Sequence, residues 1–452
     1  MDKGFNLIEY ITKRRDEGII IWLLNIGAEK YWNKISAGVV DRSEDMIVNH
    51  TEEMNLLLCR EQDIMILREQ PDARYLNMLK ELGFSVPRIL TPSKGDPLTP
   101  ISELVLNDEE LQEQLRQAAE SNEQVYFVPY AVTSLEEKIA ENCGLKIIGA
   151  PSDVNAKVND KVLNREIAEK LGLPVCKGMI CTTVDEIREG FNVLTKEAPC
   201  FKRVIVKEPY GASGKGLYTV ESEDKLNGIL LRLSRFARSN KNAKFLIEGW
   251  YSKKADVNYQ IYISPDGNVD VFSIKQQILN DIVYIGSKIT PDLDREIIDQ
   301  YNAYGQEIGK YLYSIGYTGV AGIDSIITED NVIIPIIEIN GRFTLSTYIS
   351  FMQNILGEEK KLMSRYFRTI TNSPVDYGEI CRLFEKEGLL YTRENRSGVF
   401  VYTAATLPKE RIDESGYLKG RLFLIIAADQ WNELNDISER VEKIIQGITA
   451  KQ

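Results

Sequence analysis

The chain has 452 residues, 43% hydrophobic and 27% charged, which suits a globular protein of two or three domains. A net charge of -12 and a pI near 5.0 argue against a general nucleic-acid binder, because phosphate neutralisation needs a Lys/Arg surplus. A single histidine, His50, and six scattered cysteines disfavour a His-rich metal site, a Ser-His-Asp centre and structural zinc, leaving chemistry to carboxylates, Lys, Arg and a metal ion.

In chain order, residues 1–18 are studded with charges and lack the apolar segment of a signal peptide. The most apolar run, 19–24, is far shorter than the ~20 residues that cross a bilayer, so a cytoplasmic protein without a membrane partner is expected. Short β-rich runs at 19–24, 64–67, 125–129 and 146–148 alternate with helical stretches such as 71–82, where Gly83 is the stop signal. Residues 91–100 form a breaker-rich loop, and a first boundary falls near 149–152.

A second α/β unit follows. Residues 160–171 read as a helix with Leu163, Ile167 and Leu171 on one face. Strands are expected at 201–207 and 245–248, and a hairpin at 255–263 and 269–275 around Pro265-Asp266-Gly267. A long helix at 293–313 precedes an antiparallel pair, 320–328 and 332–340. From about Ser373, helix 378–387, strands 398–404 and 421–426, and helix 430–445 suggest a small C-terminal α/β lobe.

Two constellations carry chemistry. In Val204-Ile-Val-Lys207-Glu-Pro-Tyr-Gly211-Ala-Ser213-Gly214-Lys-Gly216, a β-run delivers Lys207 and a glycine loop follows before another β-run. Glycines let backbone N–H groups approach phosphates, and Lys207 can add a fixed positive charge. A Walker A loop is ruled out, because Pro209 stands at the first glycine and Gly216 replaces the Mg²⁺-binding hydroxyl. A hairpin tip with no ligand has the same signature. The second constellation is Gly322-Ile-Asp324, fourteen residues ahead of Glu338-Ile-Asn340-Gly-Arg342. Glu338 and Asn340 share one strand face, and pairing brings Asp324 beside them as hard oxygen ligands for Mg²⁺. An ordinary hydrogen-bonded strand face is the alternative, weakened by the apolar surroundings.

Together these residues resemble the ATP-grasp superfamily over roughly 152–371. The resemblance implies two α+β subdomains gripping ATP. Lys161, at a helix start, and Lys207 would be the two ATP-binding lysines. Gly211, Ser213, Gly214 and Gly216 would form the phosphate cover, with Glu248 and Trp250 in the adenine and ribose hinge. Asp324, Glu338 and Asn340 would hold Mg²⁺, with Mn²⁺ as an alternative ion. Arg342 would steady the acyl phosphate. Some relatives carry an arginine two residues before the metal aspartate. Gly322 stands there, so the duty would fall to Arg342 or Lys275.

The N-terminal segment, with Asn25-Ile-Gly27, Arg42 and 53–63, resembles the pre-ATP-grasp domain of amino-acid and peptide ligases of secondary metabolism. The implied architecture is a pre-ATP-grasp α/β domain at 1–150, an ATP-grasp domain at 151–372 and the lobe at 373–452. The implied reaction is ADP-forming activation of an amino-acid carboxylate, L-glutamate first, in aminoglycoside side-chain biosynthesis. The acyl group would pass to the phosphopantetheine thiol of an acyl carrier protein or to an amine. A peptide ligase is one alternative, and a non-catalytic nucleotide-binding regulatory protein another. Arg232, Arg235 and Arg238 form a stripe that suits an acidic carrier, although a solvated helix face explains it more simply. Substrate selectors are expected at 275–277 and 284–288. Relatives are often dimers, so a homodimer is one expectation.

Overall fold

A computed structural model describes residues 18–32, 42–211, 216–239, 243–281, 283–409 and 416–449. The first sheet is parallel, built from β1 (Ile19–Leu23), β2 (Ile64–Ile66), β3 (Arg88–Leu90), β4 (Val125–Pro129) and β5 (Lys146–Ile147) in the order β3-β2-β1-β4-β5. A parallel sheet covered on both faces needs strands that are apolar throughout, which β1 and β2 are. Ile101, Leu111, Leu115 and Ile139 cover one face. The helix expected at 71–82 is Ala73–Leu82; the Asp72 carboxylate accepts from the Arg74 N–H at its start, and Gly83 closes it with φ 95°.

The second sheet is antiparallel: β6 (Gly178–Cys181), β7 (Val204–Lys207), β8 (Leu217–Val220) and β9 (Phe245–Gly249), in the order β6-β9-β7-β8. Helices Val184–Lys196 and Glu223–Ser239 cover it. Lys207 is the last residue of β7 and pairs with Leu217, giving the strand–loop–strand arrangement.

The third sheet has eight antiparallel strands. These are β10 (Lys253–Ile263), β11 (Val269–Asn280), β12 (Val283–Lys288), β13 (Gly319–Thr328), β14 (Ile333–Asn340), β15 (Lys361–Thr371), β16 (Gly398–Val401) and β17 (Leu418–Ala428). Their order is β14-β13-β10-β11-β12-β15-β17-β16. Tyr301, Ile308 and Leu312 of helix Arg295–Ser314 pack on it.

Among the described residues, the stretch 373–452 carries no sheet of its own. β17 pairs with β15 from Lys361↔Ala428 to Thr371↔Leu418, and β15 pairs with β12, so the C-terminal strands extend the large sheet. Helix Trp431–Ile448 packs on them. One core joins both ends of the chain: Trp22, Met54 and Tyr75 pack in the same cluster as Phe384, Phe400 and Phe423. Tyr75 donates to the Tyr402 carbonyl at 2.8 Å.

Glu53 ties the same two segments. Its carboxylate accepts from the N–H groups of Ala404 at 2.6 Å and Ala405 at 2.8 Å. Burial pushes this carboxyl up from 4.5 to about 7, against those two hydrogen bonds. A raised folded-state pKa gives stability that is full below the unfolded value and is lost as pH rises through the folded one. Melting curves of wild type and Glu53→Gln should therefore shift in the variant's favour between about pH 4.5 and 7. Above that window the difference should be constant. A difference independent of pH would rule out this titration.

Candidate active site

A cavity of about 340 Å³ opens between the second and third sheets. One end is an apolar slot of Ile205, Leu217, Ile326 and Ile337, bordered by Gly249, Trp250 and Tyr251. An apolar lining beside backbone polar groups suits a heteroaromatic base. The Trp250 ring faces the Arg203 guanidinium at 4.5 Å and the Lys253 ammonium at 5.5 Å.

Polar groups gather beyond the slot. Asp324 on β13 stands opposite Glu338 on β14, and Gly322 opposite Asn340. The Asn340 amide donates to Asp324 Oδ2 at 3.2 Å. Asn258 and Gln277 both donate to Asp324 Oδ1 at 2.9 Å. Three amides thus fix this carboxylate, the one half-buried residue of an otherwise buried strand. Burial, and then the neighbouring Glu338 charge, push Asp324 up to about 6 against those bonds.

Two carboxylates side by side are electrostatically costly without a cation, and the pair with its amide offers hard oxygen ligands. The described residues contain no cluster of three or more His, Cys, Asp or Glu placed to hold a metal. The donor set, two carboxylates and one amide oxygen, fits Mg²⁺, which is usually held by one or two carboxylates while waters and phosphate oxygens complete its shell.

Lys161 is the first residue of helix Lys161–Lys170, with the Asp160 side chain capping the N–H groups of Val162 and Leu163. Its ammonium lies 2.9 Å from Glu338 Oε1 and donates to the Gly211 carbonyl at 2.7 Å. One lysine therefore joins the carboxylate strand to the base of the glycine loop. Lys207 lies 2.7 Å from Glu248 Oε2, and Arg165 lies 2.9 Å from Glu248 Oε1. Burial opposes the Lys207 charge, but Glu248 holds its pKa above the ordinary lysine value. Glu248, expected to read a ribose, here neutralises two cations.

Gly211 has φ 149° and Gly216 φ 76°. A Cβ on Gly216 would also lie 3.0 Å from the Tyr210 carbonyl oxygen, so this turn favours glycine. Ser213 and Gly214 lie outside the described residues.

Gly322 has a steric explanation: a Cβ there would meet the Gln260 amide and the Thr344 methyl, each at 2.7 Å. An arginine has no room. Arg342 lines the cavity and packs over the Tyr130 ring at 5.1 Å. Lys275 does not line it. It is fully buried and donates to Ser273 and, at 2.7 Å, to Ser350. Burial, with no carboxylate partner among the described residues, pulls this ammonium down to about 7.

The geometry therefore brings Lys161, Lys207, Glu248, Trp250, Asp324, Glu338, Asn340 and Arg342 to one cavity and leaves Lys275 behind it. Of the expected selectors, Gln277 and Tyr284 reach the wall. Sequence reasoning missed Arg165, Asn258, Glu44, Tyr366, Arg368 and Arg421. The last four line the far end. A charged residue opening the otherwise apolar run 421–426 was the one signal available for Arg421.

Comparison with known proteins finds similarity over the same regions. Residues 160–353 match the ATP-binding domain of the carbamoyl-phosphate synthase L chain, residues 51–145 the pre-ATP-grasp domain, and residues 379–441 the PGM1 C-terminal domain. The [butirosin acyl-carrier protein]–L-glutamate ligase of Niallia circulans is 28% identical over 334 residues, covering 73% of each chain. Biotin carboxylase 1 of Bacillus subtilis is 22% identical over 249 residues, 53% of each chain.

Among solved structures, the biotin carboxylase of Campylobacter jejuni superposes with a TM-score of 0.56 at 16% identity, covering 96% of this chain and 91% of that one. The ADP complex of N5-carboxyaminoimidazole ribonucleotide synthetase gives 0.54 at 12% identity, covering 95% and 98%. Among the described residues no helix is long and apolar enough to cross a membrane.

Proposed function

We propose that this chain, an ADP-forming ATP-grasp carboxylate ligase with a pre-ATP-grasp domain, activates the side-chain carboxylate of an acidic amino acid, L-glutamate first, and passes the acyl group to a carrier-protein thiol. The observation that carries the reading is the single cavity in which Asp324, Glu338 and Asn340 stand with Lys161, Lys207 and Arg342. The similarity to a carrier-protein–L-glutamate ligase supports the choice of amino acid and acceptor.

In this reading the base of ATP lies in the Ile205–Leu217–Ile326–Ile337 slot. Lys161 and Lys207 bind phosphate oxygens, and Asp324, Glu338 and Asn340 hold Mg²⁺. The ion, when bound, neutralises and aligns phosphate oxygens. A substrate carboxylate oxygen attacks the γ-phosphorus, the bond to the β-phosphate oxygen breaks, and ADP leaves. Arg342 offsets the charge on the resulting acyl phosphate. The protein's part is positioning and charge compensation. The acyl phosphate has to be kept from water until the thiol arrives. The thiolate then attacks the acyl carbon and inorganic phosphate departs, leaving a thioester.

The regulatory alternative has no support in the residues, because Asp324, Glu338 and Asn340 are all present. For the carrier, Arg232 and Arg235 are exposed on helix Glu223–Ser239, and Arg232 stacks over the Tyr218 ring at 5.3 Å. The Arg238 side chain lies outside the described set.

The test is ADP release with an amino-acid panel, with and without a phosphopantetheinylated carrier. The expected result is L-glutamate-dependent ADP, with the carrier gaining the mass of a glutamyl group. Glutamate-dependent ADP with an amine acceptor and no carrier adduct would move the assignment to amide formation. A panel with no responding amino acid would overturn the substrate class.

A further inference from the structure

The far end of the cavity holds a charge arrangement that nothing in nucleotide binding or phosphoryl transfer requires. Arg368 on β15 and Arg421 on β17 are direct cross-strand partners, so their side chains share one face of the sheet. Like charges in that position repel unless an anion lies between them. Glu44, from helix Arg42–Asn49, forms a close ion pair with Arg421 and lies 3.8 Å from Arg368. One carboxylate thus stands against two guanidiniums.

Arg421 is the costly member. Its side chain is only 10% exposed, and its guanidinium packs over the Tyr366 ring at 5.1 Å. Its buried Nε has no acceptor among the described residues. Burial pulls this guanidinium down to about 10. A desolvated cation with an unused donor is poised for an anion, and a planar guanidinium matches a carboxylate with two parallel hydrogen bonds. Tyr366, Arg368, Arg421 and Glu44 all line the cavity that also holds Arg342.

We propose that Arg368 and Arg421 bind the α-carboxylate of the amino-acid substrate while Glu44 receives its α-ammonium, so that the side-chain carboxyl is the end presented to Arg342. This rests on the amino-acid reading of the same cavity and deepens it. The donor set is complementary to a zwitterion: two cations and one anion, against one carboxylate and one ammonium. A simple dicarboxylate would match the arginines but bring no ammonium to Glu44. Holding the zwitterion at a fixed place also fixes the length of the side chain whose carboxyl reaches the phosphate. The substrate class is therefore an α-amino acid with a terminal carboxyl, with one preferred length.

The experiment measures KM for L-glutamate and for ATP by ADP release in wild type, Arg368→Gln, Arg421→Lys and Glu44→Gln. It adds glutarate, L-aspartate and L-2-aminoadipate as alternative substrates. Losing a charge-assisted hydrogen bond should raise KM for L-glutamate roughly ten- to a hundredfold in both arginine variants. KM for ATP should stay within about twofold, because the arginines stand apart from the nucleotide groups. Glu44→Gln should narrow the preference for L-glutamate over glutarate, and wild type should show one optimum in the length series.

Arg368 is largely exposed at its side chain, 65%, so its variant keeps the test valid if Arg421→Lys fails to fold. A folded Arg368→Gln protein with unchanged KM for L-glutamate, or a Glu44→Gln protein that loses only melting temperature, would overturn the proposal and leave the amino-acid reading standing. Wild type that responds to no amino acid overturns that reading and this one with it.

Discussion

Replacing Glu338 with glutamine is expected to cut ADP release by about three orders of magnitude, equivalent to about 4 kcal/mol of transition-state stabilisation. Two effects add. The cation site loses one of its two charged ligands, and Lys161 loses the carboxylate 2.9 Å away that orients it. The fold should survive, because two opposing terms change together. Lys161, almost fully buried, loses an attraction, while half-buried Asp324 is freed from a neighbouring negative charge that raises its pKa. Steady-state kinetics and a melting curve check both halves. Turnover within tenfold of wild type would remove Glu338 from the reaction.

Lys207→Met should lower turnover by about a hundred- to a thousandfold and raise KM for ATP, since the lysine closes the strand that feeds the phosphate loop. The structure says why the variant should still fold. Glu248 is shared, and with Lys207 gone it keeps Arg165 at 2.9 Å. Arg165 also donates to the Cys176 carbonyl at 2.6 Å, so it is anchored independently. Removing Glu248 instead leaves two buried cations without their common anion, which costs about 3–5 kcal/mol when a buried pair is broken. Glu248→Ala should therefore lose much more stability than Lys207→Met, and comparison of the two by chemical denaturation separates the structural from the reactive role.

Much of this site was legible in the chain. The strand–loop–strand around Lys207 shows because β-branched runs flank the glycines on both sides. The pairing of Asp324 with Glu338 shows because a short polar turn, Glu329-Asp330-Asn331, joins two otherwise apolar runs. What stayed hidden depends on contacts between distant segments. β15 was missed because Lys361, Ser364, Arg365 and Arg368 interrupt its apolar pattern, although it bridges β12 and β17. Without it, the C-terminal strands read as a separate lobe, and Arg368 and Arg421 had no reason to meet.

Lys275 stands outside the cavity lining for a different reason. Its strand was expected, but the segment carrying Ser350, which covers it, lies 75 residues away and cannot be read from local spacing. Gly322 shows the reverse: a departure visible in the sequence gained its physical reason only from the crowding of Gln260 and Thr344.

In the proposed reaction a carboxylate becomes an acyl phosphate at Asp324, Glu338, Lys161 and Lys207. The most direct measurement adds hydroxylamine to protein, ATP, Mg²⁺ and L-glutamate, and counts hydroxamate against nucleotide products. One glutamyl hydroxamate should form for each ADP released. Release of AMP and pyrophosphate, or ADP formed with no hydroxamate, would contradict it.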